Sequence, residues 1–429
     1  MKIAVVGSGI RGLSAAYFLS KKGYDVTIIE KDKCLGGVCQ KIKIGGTETT
    51  IYYHLLMSSD KEFIDFLENL GLKDKLITKQ LSMGFYYENN LYPLNKPIDF
   101  IKFKPIFLFN KIRLLYSLFY SKIHSNKWKN YENQTALNFI KKIAGEQNTE
   151  IIWEPLLKAK FGSAYNKISA VDLIARLSRM SGDGKVKTKC VYGIQNLISS
   201  VIEKCEEIFI KKGIEIKKNS FIKNIDSENN NVVIEYSDGS KEKFDKVLLM
   251  IPEPEISKLI DKNKYEKFYT KLNGIKYLKN VTIILNTNKP ICKYYMLNIS
   301  DTEIPITGLI GFSNVYGTEQ FGNTYIYYLT NYFEESEIYE YSDKEVFNIY
   351  IPSLKKINSE FNESWIIDYK VVRYPYADVL RDLNFFDKLL PNETPIKNLY
   401  MCTAAQTYPE MSVLNSSVKQ IKNGIEQYF

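Results

Sequence analysis

The sequence predicts an α/β protein with a parallel sheet at its start and a second body inserted in pieces. Three observations predict it. Lys2-Ile3-Ala4-Val5-Val6 is an apolar, β-branched run without alternation, as a strand buried on both faces should be. Gly7-Ser8-Gly9-Ile10-Arg11-Gly12 follows, with Leu13, Ala16 and Leu19 at helical spacing until Gly23 stops the helix. Asp25–Glu30 is then a second strand closed by an acid, so strand, glycine turn, helix and strand follow one another directly.

The glycine spacing has a physical reading. The first glycine permits a tight turn, the second lets backbone approach a pyrophosphate, and the third lets the helix lie against the strand. A pyrophosphate there rests on unsatisfied N–H groups at the positive end of the helix dipole. Glu30 falls 18 residues beyond Gly12, where its carboxylate can accept hydrogen bonds from ribose hydroxyls. A ligand-free glycine turn explains neither the spacings nor the acid. Ser8, Ile10, Arg11 and Lys31 are therefore candidate contacts beside the glycines and Glu30.

Lys31–Leu35 leads into Gly36-Gly37 and Val38. Together with Gly7, Gly9, Gly12, Ala16, Leu19, Gly23, Val26 and Glu30, this glycine pair resembles the extended FAD fingerprint of flavoproteins of the glutathione-reductase type. The resemblance implies a Rossmann-like FAD-binding domain holding FAD non-covalently. Glutamate at the strand end also disfavours NADP. Relatives near monoamine oxidase often carry arginine after the glycine pair; Val38 offers only backbone, so phosphate neutralisation leans on the helix terminus.

Two later segments resemble the other FAD segments of that superfamily. Residues 187–225 read as a helix opened at Gly193–Leu197, stopped by Lys212-Gly213, then a strand at Ile214–Ile216 and a continuation through Ile222, whose counterpart lays backbone beside the adenine. A hairpin is expected from Val232–Tyr236, a turn at Ser237-Asp238-Gly239, and Asp245–Ile251, ending at Pro252-Glu253-Pro254. Residues 398–429 read as a strand, a loop and a helix from about Ser412. Thr403-Ala404 stands where many relatives have Gly-Asp on the ribityl chain, so that anchor is absent or replaced by the Thr403 hydroxyl. Met411, Ser412 and Val413 would point N–H groups at the flavin.

Residues 1–79, 187–255 and 390–429 are thus assigned to the FAD-binding domain. Residues 80–186 and 256–389 are assigned to a discontinuous α+β substrate domain, with strands expected at Tyr277–Asn286 and Asn323–Tyr332 and helices at Thr135–Gly145 and Ile168–Met180. Trp153–Leu157, Lys160-Phe161-Gly162 and Ile51-Tyr52-Tyr53-His54 resemble a bacterial branch of the FAD-dependent amine-oxidase-like superfamily. That is the group of monoamine oxidase, protoporphyrinogen oxidase and phytoene desaturase, with UDP-galactopyranose mutase as a neighbour.

The resemblance implies an FAD-dependent oxidoreductase that takes a hydride from an amine or activated carbon and passes electrons to oxygen or another acceptor. The alternative is a redox-neutral nucleotide-sugar mutase working with reduced flavin, which needs a diphosphate clamp from Arg176, Arg179, Arg373 or Arg381. A flavin-binding protein without turnover is the third class. No Ser–His–Asp set and no paired carboxylates at motif spacing are present, which fits chemistry carried by a cofactor. His54 is a candidate proton holder near the flavin, against a structural histidine. Lys160 and Arg373 are candidates for an anionic substrate group, against solvated charges.

Composition bounds the rest. The chain has 429 residues, 45% hydrophobic and 14% aromatic, with a net charge of +9. That charge suits anionic small molecules or an anionic membrane surface, or reflects solvated lysines; no nucleic-acid-binding motif accompanies it. Six Cys without a C-x-x-C pair and two His argue against a metal site and read as free thiols in a reducing cytoplasm. The N-terminus lacks a small-residue cleavage site, and no apolar run is long enough to span a membrane. Residues 100–122 combine Phe100–Phe109 with a basic helix at Lys111–Lys122. Core packing is the commoner explanation; peripheral contact with the inner face of the membrane is the other. The substrate is a small molecule, anionic or apolar, and the oligomeric state stays open.

Overall fold

In a computed structural model of the chain, residues 1–180, 189–193 and 197–429 are described. Lys2–Val6 (β1) forms because its side chains are buried on both faces: Ile3, Ala4 and Val5 are wholly inside. It pairs in parallel with Asp25–Ile29 (β2) on one side and Lys246–Leu249 on the other. Leu399–Met401 and Glu215–Lys217 complete a five-stranded parallel sheet, one at each edge.

Alternation along β1 decides what covers each face. Ile3 and Val5 face a layer of helices: Ile10–Lys21 (α1), Lys61–Asn69, Leu197–Lys211 and Leu414–Tyr428. Ala4 and Val6 face a three-stranded antiparallel sheet, Ile222–Glu228, Asn231–Tyr236 and Lys241–Phe244. Each fully buried Val or Ile here contributes about 1.5–3 kcal/mol, so the sheet is held by both layers.

This arrangement corrects the expected hairpin. Asn231–Tyr236 pairs with Lys241–Phe244, while the next strand leaves to join the parallel sheet. Asp245 makes the break, accepting the Lys2 backbone N–H at 2.6 Å and so tying the departing strand to β1. The helix expected to open at Gly193–Leu197 runs over Leu197–Lys211, and residues 187, 188 and 194–196 lie outside the described residues.

The second sheet has seven strands in the order Ile366–Val379, Tyr277–Thr287, Tyr325–Phe333, Gly308–Gly311, Met296–Ile299, Met83–Tyr87 and Asn90–Pro93. All neighbours are antiparallel except Met296–Ile299 with Met83–Tyr87. Tyr277–Thr287 is buried nearly throughout and stands second from one edge, between the two other long strands. One face packs on Asp343–Tyr350 and Ser353–Ile357; the other meets the hairpin of Lys41–Ile44 and Thr47–Thr50 and the 53–57 segment. A helical body including Leu108–His124, Ala136–Ala144 and Ala170–Met180 packs around Phe139, Ile140 and Leu177. The strand Ile366–Val379 lies where this sheet meets the parallel one, and most of it is only half-buried.

Candidate flavin-binding cleft

The glycine turn is built as its spacing requires. A Cβ on Gly12 would lie 1.8 Å from the Gly7 carbonyl oxygen, so only glycine lets α1 close on the turn. A Cβ on Gly9 would meet nothing within 4 Å. The strands therefore do not demand glycine there, and the space above it suits a ligand. Gly9 caps α1 without a side-chain hydrogen bond, and no acid lies in the first turn, so the terminal N–H groups are left for an anion. Gly36 sits at φ +112°, and Gly37 places its would-be Cβ 3.5 Å from Gly9 Cα, bringing the glycine pair over the first turn.

Glu30 is 6% exposed. One carboxylate oxygen accepts from Ser8 N–H (2.8 Å) and Ser8 Oγ (2.5 Å), the other from Asp32 N–H (3.0 Å). Ser8 Oγ in turn accepts from Gly36 N–H at 3.2 Å. The acid thus locks both glycine loops together, and of its roughly four acceptor positions one remains for a ribose hydroxyl. Residues 219–222 come alongside: Ser220 N–H donates to Glu30 O (2.9 Å) and Asn219 N–H to Asp32 O (3.2 Å). Ile222 opens its strand half-buried, Val38 is half-buried beside the turn, and Lys31 is exposed.

Arg11 crosses from α1 to the C-terminal segment, donating to Gln420 Oε1 (3.1 Å) and Ser412 Oγ (2.8 Å). Burial lowers its pKa, opposed by nearby Cys402, Tyr277 and Glu253. The C-terminal helix begins at Leu414, not at Ser412, with Val413 as its cap. Val413 N–H is taken by Ser416 Oγ at 3.0 Å, so Met411–Val413 form a loop leading into the helix rather than its first turn.

Thr403 is engaged by an acid of the adjoining strand end. Its hydroxyl donates to Glu253, which also accepts from the Tyr277 hydroxyl. Glu253 is wholly buried, and burial raises its pKa against the opposing pull of Thr403, Tyr277 and Arg11. The acid missing from the C-terminal strand is thus present nearby, brought by Pro252-Glu253-Pro254 at the end of the adjoining parallel strand. The signal in the sequence was an acid just past a strand's carboxyl end, where parallel sheets bind ligands.

Opposite stand tyrosines. Tyr374 lies 6.2 Å from both Tyr52 and Tyr376, and Tyr376 lies 5.4 Å from Tyr277, ring centre to ring centre. Burial raises the Tyr374 pKa, and the Arg11 guanidinium opposes that rise. Tyr52 Oη is buried with no hydrogen-bond partner among the described residues. A separate groove of about 460 Å³ lies between Ala170–Met180, Trp128, the Asp60–Arg179 ion pair and residues 409–416.

The three cationic candidates do not converge. His54 Nδ1–H donates to Tyr52 O (2.9 Å), leaving Nε2 to face the Cys39 thiol at 3.5 Å. Burial holds this imidazole down at about 4 and pushes Cys39 up to about 12, so both are neutral at pH 7. Lys160 pairs with Asp378 (3.0 Å) and lies 3.6 Å over the Tyr332 ring. Arg373 points the other way. Alternation puts it on the face opposite Tyr374, Tyr376 and Asp378, where it donates to Asp343 (2.6 Å) and to the Tyr339 and Tyr341 carbonyls. There it ties the strand to the Tyr339–Asp343 segment within the same sheet region. Arg176 and Arg381 share Asp172, and Arg179 is bidentate to Asp60.

Residues 10–413 match the family of flavin-containing amine oxidoreductases. The chain belongs to that family. It is an FAD-dependent oxidoreductase of the amine-oxidase-like group, and FAD is its cofactor. Coproporphyrinogen III oxidase of Staphylococcus aureus is 23% identical over 58% of this chain and 60% of its own length. The chain thus aligns to less than two thirds of that relative. An oxidoreductase from Methanosarcina mazei shares the fold with a TM-score of 0.77 at 14% identity, covering 99% of this chain and all of that one. A reduced UDP-galactopyranose mutase has a TM-score of 0.76 at 15% identity over 99% and 96%. The fold is the mixed α/β fold of FAD-dependent amine oxidases. No described helix is long and apolar enough to cross a membrane.

Proposed function

We propose that the chain takes a hydride from a C–H bond next to nitrogen, or from an activated carbon of a small apolar or anionic molecule, and passes the electrons to oxygen or another acceptor. When bound, FAD supplies the hydride-accepting chemistry. The observation that carries the reading is the cleft itself, an open, uncapped glycine turn facing a tyrosine wall.

On this reading residues 1–79, 187–255 and 390–429 form a Rossmann-like FAD domain of glutathione-reductase type, with residues 80–186 and 256–389 holding substrate. The antiparallel three-stranded layer against the parallel sheet supports it. Gly7, Ser8, Gly9, Ile10, Arg11 and Gly12 hold the pyrophosphate, and Glu30, Lys31 and Ile222 border the adenosine. Gly36, Gly37 and Val38 close over the turn, while Met411, Ser412 and Val413 border the flavin. Tyr52, Tyr374 and Tyr376 orient the substrate and exclude water. Lys160 is the cation best placed to meet an anionic group from the Tyr332 side.

The arginines that a diphosphate clamp requires are each engaged by an acid, Asp172 and Asp60 buried and Asp343 exposed, which we take as support for oxidation over mutase chemistry. The chain works on the inner face of a membrane, touching it through residues 100–122. The deciding experiment follows electrons. A primary amine or porphyrinogen substrate should bleach the flavin anaerobically and consume one acceptor per turnover. Catalytic interconversion of nucleotide sugars by dithionite-reduced enzyme, with reductant unspent, would overturn the proposal.

A further inference from the structure

We propose that the helix Leu108–His124 and the segment before it form a docking face for an anionic phospholipid surface. This deepens the peripheral-membrane reading above and rests on it. More than half of the exposed large apolar side chains among the described residues lie between Ile98 and Ile123. Leu108, Ile112, Leu115, Phe119 and Ile123 recur at steps of three and four, so they share one helix face. Ile112 is 62% exposed and Phe119 63%, whereas Leu114, Ser117 and Ser121 turn inward on the opposite face. Phe107, Phe109 and Ile101 extend the same surface; Phe107 is 74% exposed. A monomer rarely leaves so much contiguous apolar surface in water.

Charge selects the occupant. Residues 100–131 hold seven Lys and Arg and no Asp or Glu, a net +7 within a chain whose total is +9. The rest of the molecule is close to balanced, so the excess sits where the apolar face is. Lys102 and Lys104 are exposed beside Ile101 and Phe107. Lys111 and Arg113 flank the apolar stripe from its two sides, half-buried, with Lys111 donating to Ile101 O and Arg113 to Lys142 O. A groove of about 480 Å³ lies against the same helix, lined by Phe109, Tyr116 and Tyr120 together with Arg113 and Lys142. Apolar side chains for the acyl boundary, ringed by cations for phosphate, are what an interfacial helix presents to anionic lipid. A second copy of the chain would bring the same +7 against itself, which disfavours self-association.

The test uses the FAD-loaded protein and sedimentation with vesicles of phosphatidylcholine alone or mixed with phosphatidylglycerol. Binding to the anionic vesicles should be at least about tenfold tighter and should weaken with salt. Ile112→Asp/Phe119→Asp should abolish pelleting while the flavin absorbance stays. Lys102→Glu/Lys104→Glu, at exposed positions, should weaken anionic binding by roughly tenfold and decides the matter if the first variant loses its flavin. Equal binding to both vesicles would overturn lipid-charge recognition and leave peripheral contact standing. Binding to neither would overturn both. A concentration-dependent dimer by light scattering, lost in Ile112→Asp/Phe119→Asp, would show that a second copy covers this face instead. None of these outcomes bears on the oxidation chemistry, which is read by flavin bleaching.

Discussion

Gly9 and Gly12 look alike in the motif and do opposite jobs in the molecule. Gly12 is demanded by protein packing, because a Cβ would collide with the Gly7 carbonyl. Gly9 is not, so Gly9→Val should fold with near-normal melting of the apoprotein yet lose FAD by at least roughly a hundredfold, read by the flavin absorbance after gel filtration. Full loading of that variant would place the pyrophosphate elsewhere. Glu30→Gln removes charge from three hydrogen bonds at once. It should weaken FAD about tenfold and also cost about 1–2 kcal/mol in urea unfolding, since Ser8 and Asp32 lose a charged acceptor. His54 carries a pH signature. Its folded-state pKa of about 4 lies below the ordinary 6.5, so its contribution is fully present above the unfolded value and is lost as pH falls through the folded one. Wild type should lose about 3 kcal/mol more than His54→Gln between about pH 7 and about pH 4. Parallel pH profiles for the two proteins would show the ring is accessible to water.

At the scale of elements, the strand Ile366–Val379 joins the two sheets and is pinned by charge. Asp378 takes Lys160 and Arg176 at 3.0 Å each, and Arg176 and Arg381 share Asp172. Burial alone would raise the Asp378 pKa, but Lys160, Arg176 and Arg381 hold it well below the usual carboxylate range. Removing the acid strands Lys160 against the Tyr332 ring and leaves Arg176, over the Phe161 ring, to share Asp172 with Arg381. Asp378→Asn should therefore cost about 3–5 kcal/mol in chemical denaturation, and Lys160→Met much less, because Arg176 still satisfies the acid. If both variants lose the same stability, Lys160 rather than Asp378 is the centre of the network.

For the whole molecule, the proposed cleft lies between the parallel sheet and the seven-stranded one, so FAD bound as proposed would contact both and link them. Adding FAD to apoprotein at about a hundred times its dissociation constant should raise unfolding free energy by about 2.7 kcal/mol, seen as one cooperative transition at higher temperature. Two separate transitions, with only one moved by FAD, would mean the second sheet does not share the cofactor.

What the sequence alone determined was whatever local spacing encodes. The strand–turn–helix–strand at the start, the acid at position 30 and the glycine pair at 36 and 37 sit within one continuous stretch, and their geometry follows from backbone sterics between near neighbours. The strands near 277–287 and 325–333 were legible for the same reason, to within about two residues at their ends. Tertiary structure alone decided the partnerships between distant residues. Thr403 finds Glu253 only because their strands are neighbours in the parallel sheet. Arg373 turns away from the cleft because a strand's two faces are told apart only once the sheet has a neighbour on each side. The helix of Leu108–His124 reads in sequence as either a core helix or an interfacial one, because an apolar stripe looks the same whether a core or a lipid surface covers it. Only the packed fold, which buries the opposite face on Leu114 and Ser117, leaves that stripe outside.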